Sequence, residues 1–253
     1  MRIITVSNQK GGVGKTTLSF NLAWWYAKQG KRTLAVDLDP QGSLTGSSFG
    51  IDRADLSQTI GAVLTKAASI QDVAIKIPGA DSLYLLPANG DLVGIDLFLS
   101  AKPKAQFVLR KTLQSVKSVY DVVVIDTPPS VSLFSLNGWY AADLILIPCT
   151  PEPKSLDGLD DMLEDLADEK IPMYVLVNQF DSRAILYNDV SEAIRARGKV
   201  GLTVLQSTIH KSVMVSEAEL VHCPVWDYAP DHKVTLQFKS VMQEVTDGEK
   251  KIS

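Results

Sequence analysis

Apolar, β-branched runs recur along the chain, and each gives way to turn residues or to a stretch with helical spacing. They cover Arg2–Ser7, Thr33–Leu38, Leu83–Pro87, Asp121–Asp126, Asp143–Pro148, Met173–Asn178 and Thr203–Gln206. Pro224–Tyr228 reads as a last, short strand. Most runs are continuously apolar rather than alternating, as expected of strands covered by helices on both faces. Strands interleaved with helical segments predict right-handed βαβ units. The expected fold class is α/β, a doubly wound, mostly parallel sheet of about seven to eight strands flanked by helices. Ligands bind such sheets beyond the carboxyl ends of the strands.

The 253 residues are 45% hydrophobic and 21% charged, with a formal net charge of −4. That suits one domain over 1–253 with a well-buried core. The polar end, Thr246–Ser253, reads as a frayed tail. No apolar run reaches the roughly 18 residues of a membrane helix. The first strand begins at once, so no signal peptide is expected. Cys149 and Cys223 form no spaced pair. Lone thiols suit a reducing cytoplasm, and neither a disulfide nor a metal role is expected of them.

The first strand runs into Lys10-Gly11-Gly12-Val13-Gly14-Lys15-Thr16-Thr17, and a helical pattern starts at Leu18. Strand, glycine loop and helix is the context a phosphate-binding loop requires. Glycines let backbone N–H groups turn inward around a phosphate, and the helix adds its positive dipole end. Lys15 is placed to reach the β- and γ-phosphates of a nucleotide, and the Thr16 hydroxyl to take a Mg²⁺ position. Gln9 occupies the first glycine position of the generic G-x-x-x-x-G-K-[ST] loop, and Lys10 is a second lysine beside it. That extra cation requires an explanation.

Two other segments fit the same site. Asp121–Asp126 is an apolar strand ending in an aspartate, followed by Thr127-Pro128-Pro129. After a phosphate loop this is the Walker B arrangement, with Asp126 in the Mg²⁺ shell. Ala35-Val36-Asp37-Leu38-Asp39-Pro40-Gln41-Gly42 sends two carboxylates off a strand end into a turn. Asp39 reads either as a helix cap or turn residue, or as the group that orients water on a γ-phosphate, with Asp37 near the Mg²⁺.

Charge is unevenly spread. Glu152–Lys170 carries eight acids against two lysines, with Leu156, Leu159, Leu163 and Leu166 at helical spacing. It reads as a helix with one buried stripe and one solvated acidic face. Arg183–Lys211 carries Arg183, Arg195, Arg197, Lys199 and Lys211 against two acids. Two readings stand, an ordinary surface helix and loop, or a basic patch for phosphate backbones. Trp24-Trp25-Tyr26 lies on the helix after the loop. Adjacent residues point about 100° apart, so core packing with partial exposure is expected.

Together these motifs closely resemble the ParA/MinD family of deviant Walker A ATPases, nearest to ParA-type, Soj-like partition ATPases. Leu156-Asp157-Gly158-Leu159, Val177-Asn178 and Val215-Ser216-Glu217-Ala218 support the likeness. The resemblance implies a slow, Mg²⁺-dependent, partner-stimulated ATPase. It implies a catalytic set of Lys10, Lys15 and Asp39, a nucleotide held by Gly11–Thr17 with Asn178 and Pro230 at the adenine, and Mg²⁺ at Thr16, Asp37 and Asp126. Lys10 resembles the lysine that crosses to the partner's phosphates in an ATP-bound sandwich homodimer. The resemblance also implies non-specific DNA binding, a cargo-bound ParB-like or adaptor protein that stimulates hydrolysis, and a cytoplasmic, nucleoid-associated protein. Arg183 falls on a DNA-contacting arginine position of the family and Lys211 on a commonly basic one. Met214 stands where many relatives carry arginine, and His210 where proline is common. DNA contacts are therefore expected from Arg183 and Lys211, or from Arg195, Arg197 and Lys199.

A MinD-like membrane ATPase needs a basic amphipathic C-terminal helix, and Val245–Ser253 lacks that face. An iron–sulfur relative needs cysteines beside the switch segments, which are absent there. A MinD-like or other nucleotide-switched positioning ATPase or adaptor that does not use DNA as its matrix remains the alternative.

Overall fold

The computed structural model describes residues 1–252. Eight strands form one sheet: β1 (Arg2–Val6), β2 (Thr33–Asp37), β3 (Ile75–Lys76), β4 (Leu83–Leu86), β5 (Val122–Asp126), β6 (Leu144–Cys149), β7 (Met173–Phe180) and β8 (Leu202–His210). Their order is β3-β4-β2-β5-β1-β6-β7-β8, parallel except for β3 at one edge. The chain winds outward from central β1 in both directions, which makes the fold doubly wound as expected. β3 escaped the sequence pattern because two residues, Ile75 and Lys76, carry no periodicity.

The helices are α1 (Lys15–Lys28), α2 (Ile60–Thr65), α3 (Ile70–Val73), α4 (Leu92–Ser100), α5 (Val108–Leu113), α6 (Leu133–Ala141), α7 (Lys154–Asp165), α8 (Ile185–Arg195), α9 (Val213–Leu220), α10 (Val225–Tyr228) and α11 (Lys233–Ile252). Ile4, Val6, Val124 and Leu146 face one side of the sheet and pack with Leu18 and Leu22 of α1 and Phe238 and Val241 of α11. Their neighbours Ile3, Val123 and Ile125 face the other side, with Ile60 of α2 and Leu109 of α5. Ile145, Ile147 and Val175 continue that second side against Leu159 of α7 and Ile194 of α8. Successive residues thus enter different cores, and each needs an apolar side chain. This is why the strands read as unbroken apolar runs. Each such fully buried aliphatic side chain contributes on the order of 1.5–3 kcal/mol.

Two expectations are corrected. Val225–Tyr228 is a short helix, α10, and not a strand. Val225 and Trp226 are buried against α1 and α11, where Asn21 Oδ1 accepts the Val225 N–H at 3.0 Å. Buried apolar residues there serve a helix cap over the core, which a short run cannot announce. The segment 246–252, expected as a frayed tail, continues α11. Val245 is fully buried, and Thr246 Oγ1 accepts from Trp25 Nε1 at 3.2 Å. Ser253 lies outside the described residues. Trp24 and Tyr26 are buried and Trp25 is half-buried, as the angular spacing required.

Candidate nucleotide site

The glycine loop leaves the carboxyl end of β1 and becomes α1 at Lys15. Gly12 and Gly14 have φ of 74° and 90°, the left-handed region that favours glycine. Gly14 has a second constraint, because a Cβ there would sit 2.4 Å from Asn178 Nδ2. Two side chains from the end of β7 brace the loop from outside. Asn178 Nδ2 donates to the Val13 carbonyl at 2.7 Å, and Gln179 Nε2 donates to the Gly12 carbonyl at 2.8 Å. Holding these carbonyls outward leaves the N–H groups of the first turn of α1, which have no intrahelical partner, for a ligand.

Lys15 is buried, and its Nζ donates to the Lys10 carbonyl at 3.0 Å. Burial lowers its pKa, opposed by the nearby Asp126 and Asp39 carboxylates. Asp126 is fully buried and accepts from Thr16 Oγ1 at 2.8 Å and Ser19 Oγ at 3.0 Å. Thr16 and Asp126, both expected beside Mg²⁺, thus lie together at the mouth of the loop. Burial, with Asp37 adding to it, pushes the Asp126 carboxyl up to about 8. Such a carboxylate favours a divalent cation or a proton at its side.

Asp37 lies opposite Asp126 in the parallel pairing of β2 with β5. Its oxygens face the backbone. Oδ1 accepts the Asp39 N–H at 3.0 Å, while Oδ2 accepts the Thr45 N–H at 2.9 Å and Oγ1 at 2.7 Å. Burial raises this carboxyl to about 6, against the hydrogen bonds that lower it. Here Asp37 holds the segment that carries Asp39 and ties it to the π-helical turn Leu44–Ser48. Thr45 Oγ1 in turn accepts the Ala88 N–H beyond β4 at 3.0 Å. Asp39, also buried, accepts the Gln41 N–H at 2.9 Å. It thus fills a turn role in this conformation while lying close enough to act on Lys15.

Lys10 points away from the phosphate loop. Its Nζ meets Glu152 Oε2 at 2.5 Å, Ser155 Oγ at 3.0 Å and Thr150 Oγ1 at 3.4 Å. Asn178 is spent on the loop backbone but also lines a cavity of about 540 Å³ with Gly14, Phe180, Arg183, His210 and Lys211. That cavity opens from the end of the loop, where the base of a nucleotide would follow its phosphates. Pro230 is exposed and lies outside its lining.

The basic stretch is not one patch. Arg183 is paired with its neighbour Asp181, Nη2 to Oδ2 at 2.7 Å, and stands at the cavity rim with Lys211. Arg195 donates to the Leu205 carbonyl at 3.0 Å and to Thr208 Oγ1 at 2.9 Å. Arg197 grips Asp160 through two bonds of 2.6 Å. Lys199 is exposed ahead of β8, whereas Lys211 follows its end. A strand of that length separates them by about 25 Å at ~3.3 Å per residue.

Several site residues carried no sequence signal. Ser19, Thr45, Glu152 and Gln179 act through hydrogen bonds to residues distant in sequence. Only the 55° φ of Gln179 marks it as unusual, and that is invisible in sequence. Glu219 of α9 likewise accepts from Ser48 Oγ at 3.0 Å, tying α9 to the π turn.

A doubly wound sheet with a glycine loop after its central strand and a threonine–aspartate pair at its mouth defines a P-loop nucleotide-binding protein. The model of the AAA domain matches residues 1–171. The sporulation initiation inhibitor protein Soj of Bacillus subtilis is 35% identical over 96% of this chain and 98% of its own. The chromosome partitioning protein ParA of Myxococcus xanthus is 36% identical, over 88% of this chain and 80% of its own. A crystal structure of cobyrinic acid a,c-diamide synthase from Mycobacterium smegmatis, with bound ADP and magnesium, superposes with TM-score 0.81 at 29% identity, covering 99% and 96% of the two chains. The chain belongs to the ParA/Soj family of partition ATPases.

Proposed function

We propose that this protein hydrolyses ATP with Mg²⁺, forms an ATP-dependent sandwich homodimer, and uses that cycle to position an intracellular cargo on DNA. The observation that carries the reading is the convergence of Lys15, Thr16, Asp126 and Asp39 at one strand-end crevice. Gly11–Thr17 would hold the phosphates. Thr16 and Asp126 would hold Mg²⁺, which supplies charge neutralisation for phosphoryl transfer. Asp37 is already saturated by the Asp39 and Thr45 backbone, which supports a positioning role for it more than direct ligation. Asp39 would orient the attacking water once its turn reorganises, and the family likeness supports that role.

Lys10 supports the dimer reading. The loop already has Lys15, so a second lysine on the rim is placed to serve another phosphate chain. Of its present partners, Glu152 is exposed and Ser155 is buried. DNA binding would use Arg183 and Lys211 at the cavity rim, because Arg183 pairs with its near neighbour Asp181 and keeps an exposed side chain, whereas Arg195 and Arg197 are bonded to distant segments of the fold. That commitment also favours the second reading, a nucleotide-switched positioning ATPase on another matrix.

The decisive experiment replaces Asp39 by Ala. Turnover should fall by about a hundredfold or more, with Mg-ATP binding retained, as for loss of a water-orienting base. Unchanged turnover would remove Asp39 from the mechanism.

A further inference from the structure

Away from the nucleotide crevice, a groove of about 920 Å³ opens between the α2–α3 connection and the 102–115 segment. Its lining carries four lysines, Lys66, Lys102, Lys104 and Lys111, against one acid, Asp72. Asp72 is occupied, since it accepts from Ser69 Oγ at 2.5 Å and from the Ser69 N–H at 3.2 Å to cap α3. The lysines have no such partner. Among the described residues none of the four forms an ion pair, and Lys102 Nζ lies 4.1 Å from the centre of the Phe98 ring. Lys66 and Lys104 both sit in the left-handed region, at φ of 67° and 57°, where glycine or asparagine is usual.

The space between the lysines is apolar. Val63, Ala68, Phe107 and Val108 contribute to it, and Phe107 is 38% exposed. A cationic rim over an apolar floor matches one kind of surface, negative and apolar at once. We infer that this groove is a docking site for an acidic amphipathic helix of a partner protein, which would lay apolar side chains on Phe107 and carboxylates on the four lysines. The floor argues against duplex DNA, whose phosphates need cations but offer nothing to an exposed Phe107 and the apolar surface around it. The net charge of −4 makes this cluster of four uncompensated lysines a local exception on an acidic protein.

The test uses the full chain and a fluorescein-labelled amphipathic peptide of about five helical turns, leucine on one face and glutamate on the other. Fluorescence anisotropy should show saturable binding. The Lys102→Glu/Lys104→Glu/Lys111→Glu variant should weaken it by about tenfold or more, and added salt should weaken it further. Phe107→Ser should weaken it as well while circular dichroism and basal ATPase stay unchanged. A control variant reversing Lys31, Lys117 and Lys170 should bind as the parent does. Four results would overturn the inference. These are no binding of the glutamate peptide, equal binding of a lysine-for-glutamate peptide, binding indifferent to the triple reversal, or duplex DNA held in the groove and lost in the same variants. A nucleotide-free dimer that Phe107→Ser dissolves in sedimentation would assign the face to a second copy instead.

Discussion

Lys10 Nζ lies 2.5 Å from Glu152 Oε2, so the loop's second lysine is held by the segment that leads into α7. The pair is partly exposed, 26% and 48% by side chain, and an ion pair of that kind contributes at most about 1 kcal/mol. A lysine used in trans must leave Glu152 first. Glu152→Gln should therefore raise the ATP-dependent dimerisation constant by about two- to fivefold, as read by sedimentation velocity. Lys10→Gln should lower it. A Glu152→Gln protein with an unchanged constant would mean that the two contacts do not compete.

Gly12 and Gly14 share a positive φ but not their surroundings. A Cβ on Gly12 meets nothing within 4 Å, while one on Gly14 meets Asn178 at 2.4 Å. Gly12→Ala should cost about 1–2 kcal/mol of backbone strain. Gly14→Ala should cost more and also break the Asn178–Val13 hydrogen bond that shapes the loop. Urea denaturation should rank them in that order, and calorimetric titration should show nucleotide binding lost in Gly14→Ala first.

Asp126 and Asp37 are buried carboxyls with raised pKa values, about 8 and about 6. Unfolded, both titrate near 3.8. Between that pH and their folded values the native state binds more protons than the unfolded one, so stability falls as pH rises. Their contribution is complete below about pH 4 and is lost progressively toward about pH 8. Denaturation without nucleotide or Mg²⁺ should show this decline, and Asp126→Asn should flatten its upper part. Mg²⁺ should reduce the decline in the parent, because a bound cation favours the carboxylate.

Arg183 and Lys211 share a cavity rim, whereas Arg197 is bound to Asp160. Reversing Arg183 and Lys211 should reduce retention on DNA in the ATP state and lower the salt slope by about two. Arg197→Ala should instead leave the salt slope unchanged and lower stability by at most about 1 kcal/mol, because the Asp160 it releases is half exposed to solvent. Equal loss of DNA binding in both variants would place the nucleic-acid surface at the far end of β8.

Fold class was legible because unbroken apolar runs report burial on both faces of a sheet, residue by residue, from Ile3 to Leu176. The phosphate loop was legible because its chemistry is contiguous. Glycines, Lys15 and Thr16 must be neighbours to wrap one phosphate, so the chain carries the site as a word. That Thr16 and Asp126 lie near each other could also be anticipated, since adjacent parallel strands present their ends together.

Tertiary structure alone decided the rest. Whether Asp37 faces the backbone or the crevice depends on Thr45, eight residues on in a π turn. Whether Lys10 is free depends on Glu152, 142 residues away in sequence. Arg195 and Arg197 look like Arg183 in composition, yet the carbonyls of β8 and the Asp160 carboxylate tie them to distant segments, while Arg183 pairs with Asp181 two residues away and keeps a largely exposed side chain. The α10 segment reads as a strand because its apolar residues are buried, and burial alone does not choose between helix and strand. Local sequence determines contiguous chemistry and burial pattern. Which side chains are left unpaired for a ligand is fixed by contacts between distant segments, and those follow only once the sheet has brought them together.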